Sequence, residues 1–103
     1  MKLKIYQVKD ECLDIFGFRP YDVAEKRGFS LANYDCVWSG DIDCDTSLDG
    51  IYRRFSRVDE DDCEFLDGVG FFGRSMSVSD IIDLEGHMYY CDASGWVELD
   101  KEI

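Results

Sequence analysis

The sequence is poor in proline, histidine and basic residues. Its 103 residues include one proline, one histidine and 11 lysines and arginines. A Pro-rich linker is therefore excluded, and His87 alone is little material for a histidine-based catalytic centre or a zinc site. Direct binding of DNA or RNA and binding to anionic membranes are disfavoured, because both favour an excess of positive charge on the protein.

Long apolar runs are also missing. No stretch approaches the roughly 20 apolar residues that a membrane-spanning helix needs. The first residues alternate between polar and apolar types, whereas a signal peptide has a continuous apolar segment. We therefore expect a cytoplasmic protein. Its five cysteines are odd in number and form no C-x-x-C pair, which favours free thiols over disulfides or zinc ligands.

Acidic residues, in contrast, are abundant. The 23 aspartates and glutamates give a formal net charge of −12, which would attract a basic protein surface. Apolar residues make up 46% of the chain and aromatic residues 15%, so a globular fold is expected rather than disorder. The length suits one domain, and we assign residues 1–103 to it.

Alternation, helical spacing and turn residues predict the secondary structure. Strands are expected at residues 2–8, 34–38, 80–84, 87–91 and 96–99, and helices at 21–27 and 47–57. Thr46 is the predicted N-cap of the second helix. Turns are expected at 39–41 and 85–86, and residues 59–62 are expected to form a solvated loop. The order predicts an α+β domain, with a mainly antiparallel sheet of about five strands and two short helices.

The acidic stretch from Asp35 to Asp67 is the best candidate for a partner-binding site. It holds eleven acids against three arginines. Acids displayed from two loops could imitate part of the charge array of duplex DNA, although an ordinary solvated face would have the same composition. The residues that we expect to bind a partner are Asp41, Asp43, Asp45, Asp59, Glu60, Asp61, Asp62 and Glu64.

Two shorter motifs match known sites poorly. Asp41-x-Asp43-x-Asp45 is similar to the start of a calcium loop, but Thr46 and Tyr52 stand where such a loop has glycine and glutamate. Residues 68–73 have G-x-G-x-x-G spacing, but an acidic segment precedes them where a dinucleotide fold has an apolar strand. We expect no catalytic residue, no metal and no cofactor.

Two motifs in the C-terminal half carry a family resemblance: GRSMSVSDII at residues 73–82 and YYCDASGW at residues 89–96. With ANYDCVW at residues 32–38, they make the chain resemble the YodL-like domain family over roughly residues 3–99. The chain departs from the family pattern at Met76, Ala93 and Trp96. Independently of the family, Ser77, Ser79 and Asp80 are expected to cap a turn.

The resemblance implies a small bacterial protein of firmicutes, their phages and their conjugative elements, often encoded beside anti-restriction genes. It implies no catalytic residue. Together with the charge, it favours a non-enzymatic nucleic-acid mimic of a mobile element. Such an anti-CRISPR or anti-restriction inhibitor would block the basic channel of a CRISPR effector nuclease or a restriction enzyme.

Two other functions stay open. An adaptor or regulatory subunit would bind its protein partner through an apolar patch, expected around Phe16, Phe18, Trp38, Phe71 and Phe72. A small enzyme would require a deep pocket that contains a titratable group with a shifted pKa.

Overall fold

A five-stranded antiparallel sheet forms the centre of the molecule, with short helices on both of its faces. The computed structural model describes residues 1–71 and 73–99. The strands are β1 (Lys2–Val8), β2 (Tyr34–Asp41), β3 (Ile81–Leu84), β4 (His87–Asp92) and β5 (Gly95–Leu99), in the spatial order β2-β1-β3-β4-β5. The predicted α+β class and the antiparallel five-stranded sheet are confirmed.

Within the described residues, four α-helices fill the two long connections, where the sequence predicts two helices. They are α1 (Leu13–Phe16), α2 (Tyr21–Lys26), α3 (Leu48–Arg54) and α4 (Glu60–Val69). The pair α1–α2 joins β1 to β2, and the pair α3–α4 joins β2 to β3. Short 3-10 turns at Asp10–Cys12 and Leu31–Asn33 complete these connections.

Each face of the sheet has its own core. Ile81 and Ile82 are neighbours in β3, point to opposite faces and are both fully buried. Ile82 belongs to a cluster with Ile51 of α3 and Leu66 of α4, so the α3–α4 pair covers that face. Ile81 belongs to a second cluster with Phe16 and Ala24, so the α1–α2 pair covers the other face.

Helix α4 replaces the solvated loop that the run of acids predicted at residues 59–62. Asp59 is the N-cap, and its side chain accepts a hydrogen bond of 2.9 Å from the backbone N–H of Asp62. Glu60, Asp61 and Asp62 occupy the first turn, where the helix dipole favours negative charge. The prediction was wrong because it weighed solvation alone and ignored this N-terminal preference.

Strand β2 also runs through the turn that was predicted at residues 39–41. Ser39, Gly40 and Asp41 pair with Lys4, Leu3 and Lys2 of β1. Gly40 serves a close contact and not a turn, because a Cβ atom there would lie 2.6 Å from Cη2 of Trp38.

Two other local predictions had different outcomes. Helix α3 is capped by Ser47, not Thr46, and the Ser47 hydroxyl accepts from the N–H of Gly50. The β3–β4 hairpin is confirmed: Glu85 and Gly86 both have positive φ, as a two-residue type I′ connection requires.

Candidate functional site

The eight acids that are predicted to bind a partner lie on two segments. Asp41 ends β2, and Asp43 and Asp45 follow in the connection to α3. The other five, from Asp59 to Glu64, form the N-cap and the first turns of α4. All are exposed except Asp62, which is half-buried. The acids of the second segment therefore project from a helix, which fixes their spacing more firmly than a loop would.

Packing of α3 against α4 brings the two segments to adjoining depressions of the surface. Asp41 and Asp43 line the first depression, of about 370 Å³. Asp62 lines the second, of about 310 Å³. Gly50 and Arg54 of α3 border both depressions. Acids that are about 20 residues apart in sequence, Asp41 and Asp43 on one side and Asp62 on the other, thus line two neighbouring depressions along α3, which we call the acidic hollow.

The carboxylates of this region outnumber its arginines, although Arg53 and Arg54 line the second depression together with Asp62. Residues 41–64 contain nine acids and three arginines, a formal net charge of −6, half of the −12 of the chain. None of the eight predicted partner-binding acids takes part in an ion pair within residues 1–71 and 73–99. The ion pairs there join the Met1 amino group to Glu85, Arg57 to Asp67, Arg74 to Asp10 and His87 to Glu98.

The first depression is an apolar groove with an acidic rim. Trp38, Ile42, Phe65 and Val69 are among the apolar side chains that line it. The indole N–H of Trp38 donates to the carbonyl of Val69 at 2.9 Å. This contact fixes the end of α4 to β2 and leaves the indole ring as groove wall. From the sequence, Trp38 is expected in a different patch, and Ile42, Phe65 and Val69 are not predicted as site residues because no periodicity links them.

A second polar cluster lies inside the molecule, around the start of β3. Asp80 is 1% exposed, and its Oδ2 accepts hydrogen bonds from the N–H of Ser77 at 3.0 Å and from Nε2 of Gln7 at 3.1 Å. The Gln7 amide also donates to the carbonyl of Arg74 and accepts from its N–H. The expected capping is confirmed for Asp80, which also ties β1 to the segment before β3, whereas the Ser79 hydroxyl accepts from Phe18 in another connection.

Burial dominates the electrostatics of this cluster. It raises the pKa of Asp80 from 3.8 to about 7, against the opposing effects of the Ser77 and Gln7 hydrogen bonds and the Arg74 charge. Burial likewise raises the pKa of the neighbouring Cys91 thiol to about 12, so the thiol stays protonated and unreactive. Asp80 lines neither depression, and its hydrogen-bond donors belong to the protein, which indicates a structural role.

Ser79 connects this cluster to the α1–α2 connection. Its hydroxyl accepts from the N–H of Phe18 at 3.0 Å, and its carbonyl accepts from the hydroxyl of Tyr34 at 2.7 Å. Ser79 has φ of 87° and Phe18 has φ of 58°, both in the left-handed region that is costly for residues other than glycine. The hydrogen bonds hold both residues there and turn the Phe18 ring outward, 56% exposed.

The apolar patch expected for an adaptor is not assembled as predicted. Phe71 is fully buried and Phe16 is 7% exposed, because they belong to the cores on opposite faces of the sheet. Trp38 is half-buried in the groove, and Phe72 lies outside the described residues. Of the five, Phe18 is freely exposed, and Ile15 of α1 is 50% exposed nearby in sequence.

Neither a metal-binding cluster nor a membrane-spanning helix is found in the part of the chain that the structure describes. No group of three or more histidine, cysteine, aspartate or glutamate side chains in residues 1–71 and 73–99 is arranged to hold a metal ion. Over the same residues, no helix combines the length and the apolar character that crossing a bilayer requires.

The sequence model of the YodL-like domain matches residues 2–101. The chain belongs to the YodL-like domain family. The resemblance inferred from the motifs at 73–82 and 89–96 is thereby confirmed. Neither a curated protein nor a solved structure matches the chain.

In this YodL-like domain, both motifs contribute to the interior. The first supplies Arg74, Ser77 and Asp80 to the cluster around Gln7. The second supplies Cys91, whose backbone N–H donates to the carbonyl of Asp80 and whose carbonyl accepts from the N–H of Ser79. The motifs of the YodL-like domain therefore support the fold here, while the acidic hollow lies outside them.

Proposed function

We propose that this YodL-like protein is a non-enzymatic inhibitor that binds the basic nucleic-acid-binding surface of a bacterial defence nuclease. The observation that carries the proposal is the acidic hollow. Two acidic segments border adjoining depressions along α3. None of the eight predicted partner-binding carboxylates of these segments is ion-paired within the described residues. Such a surface attracts the cationic channel in which a nuclease holds its substrate.

Family membership supports the choice of target class. Domains of this family are expected in firmicutes and their mobile elements, often beside anti-restriction genes. An acidic protein encoded there gains from competing with DNA for a basic channel, since that requires charge and shape but no catalysis. CRISPR effector nucleases and restriction enzymes both have such channels.

The test measures DNA cleavage by a panel of CRISPR effector nucleases and restriction enzymes with and without the protein. A change of Asp41, Asp43, Asp59, Asp61 and Asp62 to asparagine removes five charges from the two acidic segments, three of them from the hollow itself. Asparagine is also a good N-cap, so Asp59→Asn keeps α4 capped. The matched control neutralises five exposed acids elsewhere: Glu11, Asp14, Asp22, Glu25 and Asp35.

We expect inhibition to weaken steeply as salt rises, and to be lost in the first variant but retained in the control. Inhibition that is insensitive to salt, or equally reduced by both variants, would count against charge mimicry. Absence of inhibition across the panel would reject a defence nuclease as the target.

An adaptor role is the second candidate, and the exposed Phe18 favours it. Phe18 and Ile15 are two of the four large apolar residues that the described part of the chain exposes. Ser79 holds Phe18 in a strained conformation that places its ring in solvent. If the protein is an adaptor, Phe18→Ser should abolish capture of its partner while the five-acid variant retains it.

A further inference from the structure

The groove between β2 and the α3–α4 pair is suited to a particular kind of partner segment. Trp38 and Val69 form part of its wall, and the hydrogen bond between them uses the indole N–H. The wall therefore offers an incoming group a ring face and an aliphatic side chain, with no indole donor left to satisfy. Val69 is 38% exposed, so apolar surface at this position remains in contact with water.

The arginine that borders the groove packs against one of its aromatic rings. The guanidinium of Arg54 lies 4.4 Å from the centroid of the Phe65 ring, a cation–π contact within the wall. Asp41 and Asp43, in contrast, are exposed at the groove and are not ion-paired within the described residues. The groove thus combines an apolar floor with two exposed carboxylates, which outnumber the one arginine that borders it.

We infer that this groove binds an apolar side chain, such as leucine or phenylalanine, that is flanked by arginine or lysine in an exposed segment of the protein partner. This inference rests on the proposed function and specifies how the acidic hollow recognises its target. A volume of about 370 Å³ accommodates a side chain of this size. Charge complementarity selects a basic segment over an acidic one, and the apolar floor distinguishes the segment from a purely electrostatic ligand.

Fluorescence of Trp38 can report occupancy directly. The chain has two tryptophans, and Trp96→Phe leaves Trp38 as the single indole. Two synthetic octapeptides serve as probes, each with six arginines and lysines around a central pair of residues. The pair is leucine–phenylalanine in the first peptide and serine–serine in the second. We expect the first peptide to shift Trp38 emission to shorter wavelength and to bind about tenfold more tightly than the second.

Two pairs of variants separate the apolar and the charged contributions. Val69→Asn should reduce the affinity for the leucine–phenylalanine peptide by about fivefold and leave the affinity for the serine peptide unchanged. Its control is Val58→Asn, because Val58 is 76% exposed and does not line the groove. The double variant Asp41→Asn with Asp43→Asn should weaken the binding of both peptides. The effect should exceed that of the control double variant Asp14→Asn with Glu25→Gln, whose acids lie on α1 and α2.

The outcomes distinguish this inference from the function on which it rests. Equal affinity for the two peptides, with Val69→Asn no different from Val58→Asn, would overturn the groove inference. If Asp41→Asn with Asp43→Asn still weakened binding in that case, the charge-based function would stand. Failure of both peptides to bind the folded protein would also overturn the inference, and the nuclease experiment would then decide the proposed function on its own.

Discussion

Replacement of Asp80 by asparagine should change how stability depends on pH. In the folded state the pKa of Asp80 is raised from 3.8 to about 7, chiefly by burial. Between these two values the folded chain holds a proton that the unfolded chain releases. The stability that Asp80 contributes is therefore complete below pH 3.8 and is lost as the pH rises through about 7. A shift of this size corresponds to at most about 4 kcal/mol.

Asparagine can preserve the local geometry without titrating. Its side-chain oxygen can accept the hydrogen bonds that Oδ2 of Asp80 receives from Ser77 and Gln7. We expect the free energy of unfolding of Asp80→Asn, relative to the parent protein, to increase between pH 4 and pH 8, by up to about 4 kcal/mol. That is a large part of the roughly 5–15 kcal/mol that stabilises a small domain.

Urea unfolding at constant ionic strength, followed by tryptophan fluorescence from pH 4 to pH 8, measures this difference. Taking the difference between the two proteins cancels the titration of the other acids. An NMR titration of the Asp80 carboxyl carbon should have its midpoint at about 7. A difference that stays flat, or that falls as the pH rises, would refute the argument, because it would mean that Asp80 is ionised at little cost inside the fold.

Three further predictions concern single contacts, each measured by urea unfolding followed by circular dichroism. Ser79→Ala should lower the free energy of unfolding by about 1–3 kcal/mol, since the N–H of Phe18 loses its acceptor. Ser79→Gly loses the same acceptor but relieves the positive φ, so its free energy of unfolding should fall by about 1 kcal/mol less than that of Ser79→Ala. Equal losses in the two variants would contradict a strained backbone at this position. Asp59→Ala should cost about 1 kcal/mol while Asp59→Asn costs little, since only the first removes the N-cap of α4. Trp38→Phe should lower the free energy of unfolding by about 0.5–1.5 kcal/mol, the net value of one hydrogen bond, because water can replace the donor at the exposed carbonyl of Val69; an unchanged stability would show that this contact does not anchor α4.

Local sequence patterns predicted those elements whose residues alternate or turn in a recognisable way. Strand β1 has the predicted bounds Lys2–Val8, and the β3–β4 hairpin has its turn at Glu85–Gly86. Both rest on information within a few neighbouring residues. The helix α4 was missed because its first turn is acidic, a composition shared by solvated loops and by helix N-termini.

The candidate site was predictable only in part. The two acidic segments were visible in the sequence, but their convergence depends on the packing of α3 against α4. The groove depends on Gly40, whose lack of a side chain leaves space for the Trp38 indole. In the sequence, that glycine looked like a turn residue between a serine and an aspartate. Contacts of this kind are set by tertiary structure and leave no periodic signal in the chain.

The position of β1 in the sheet has a consequence for biosynthesis. This strand is synthesised before either of its neighbours, yet it lies between β2 and β3. Its side toward β3 remains without hydrogen-bonding partners until Ile81–Leu84 has left the ribosome. A nascent chain that stops before this point has only the β1–β2 ribbon, which is marginal in isolation. Ribosome stalling within α4 should therefore yield an unfolded fragment rather than a smaller folded version of the protein.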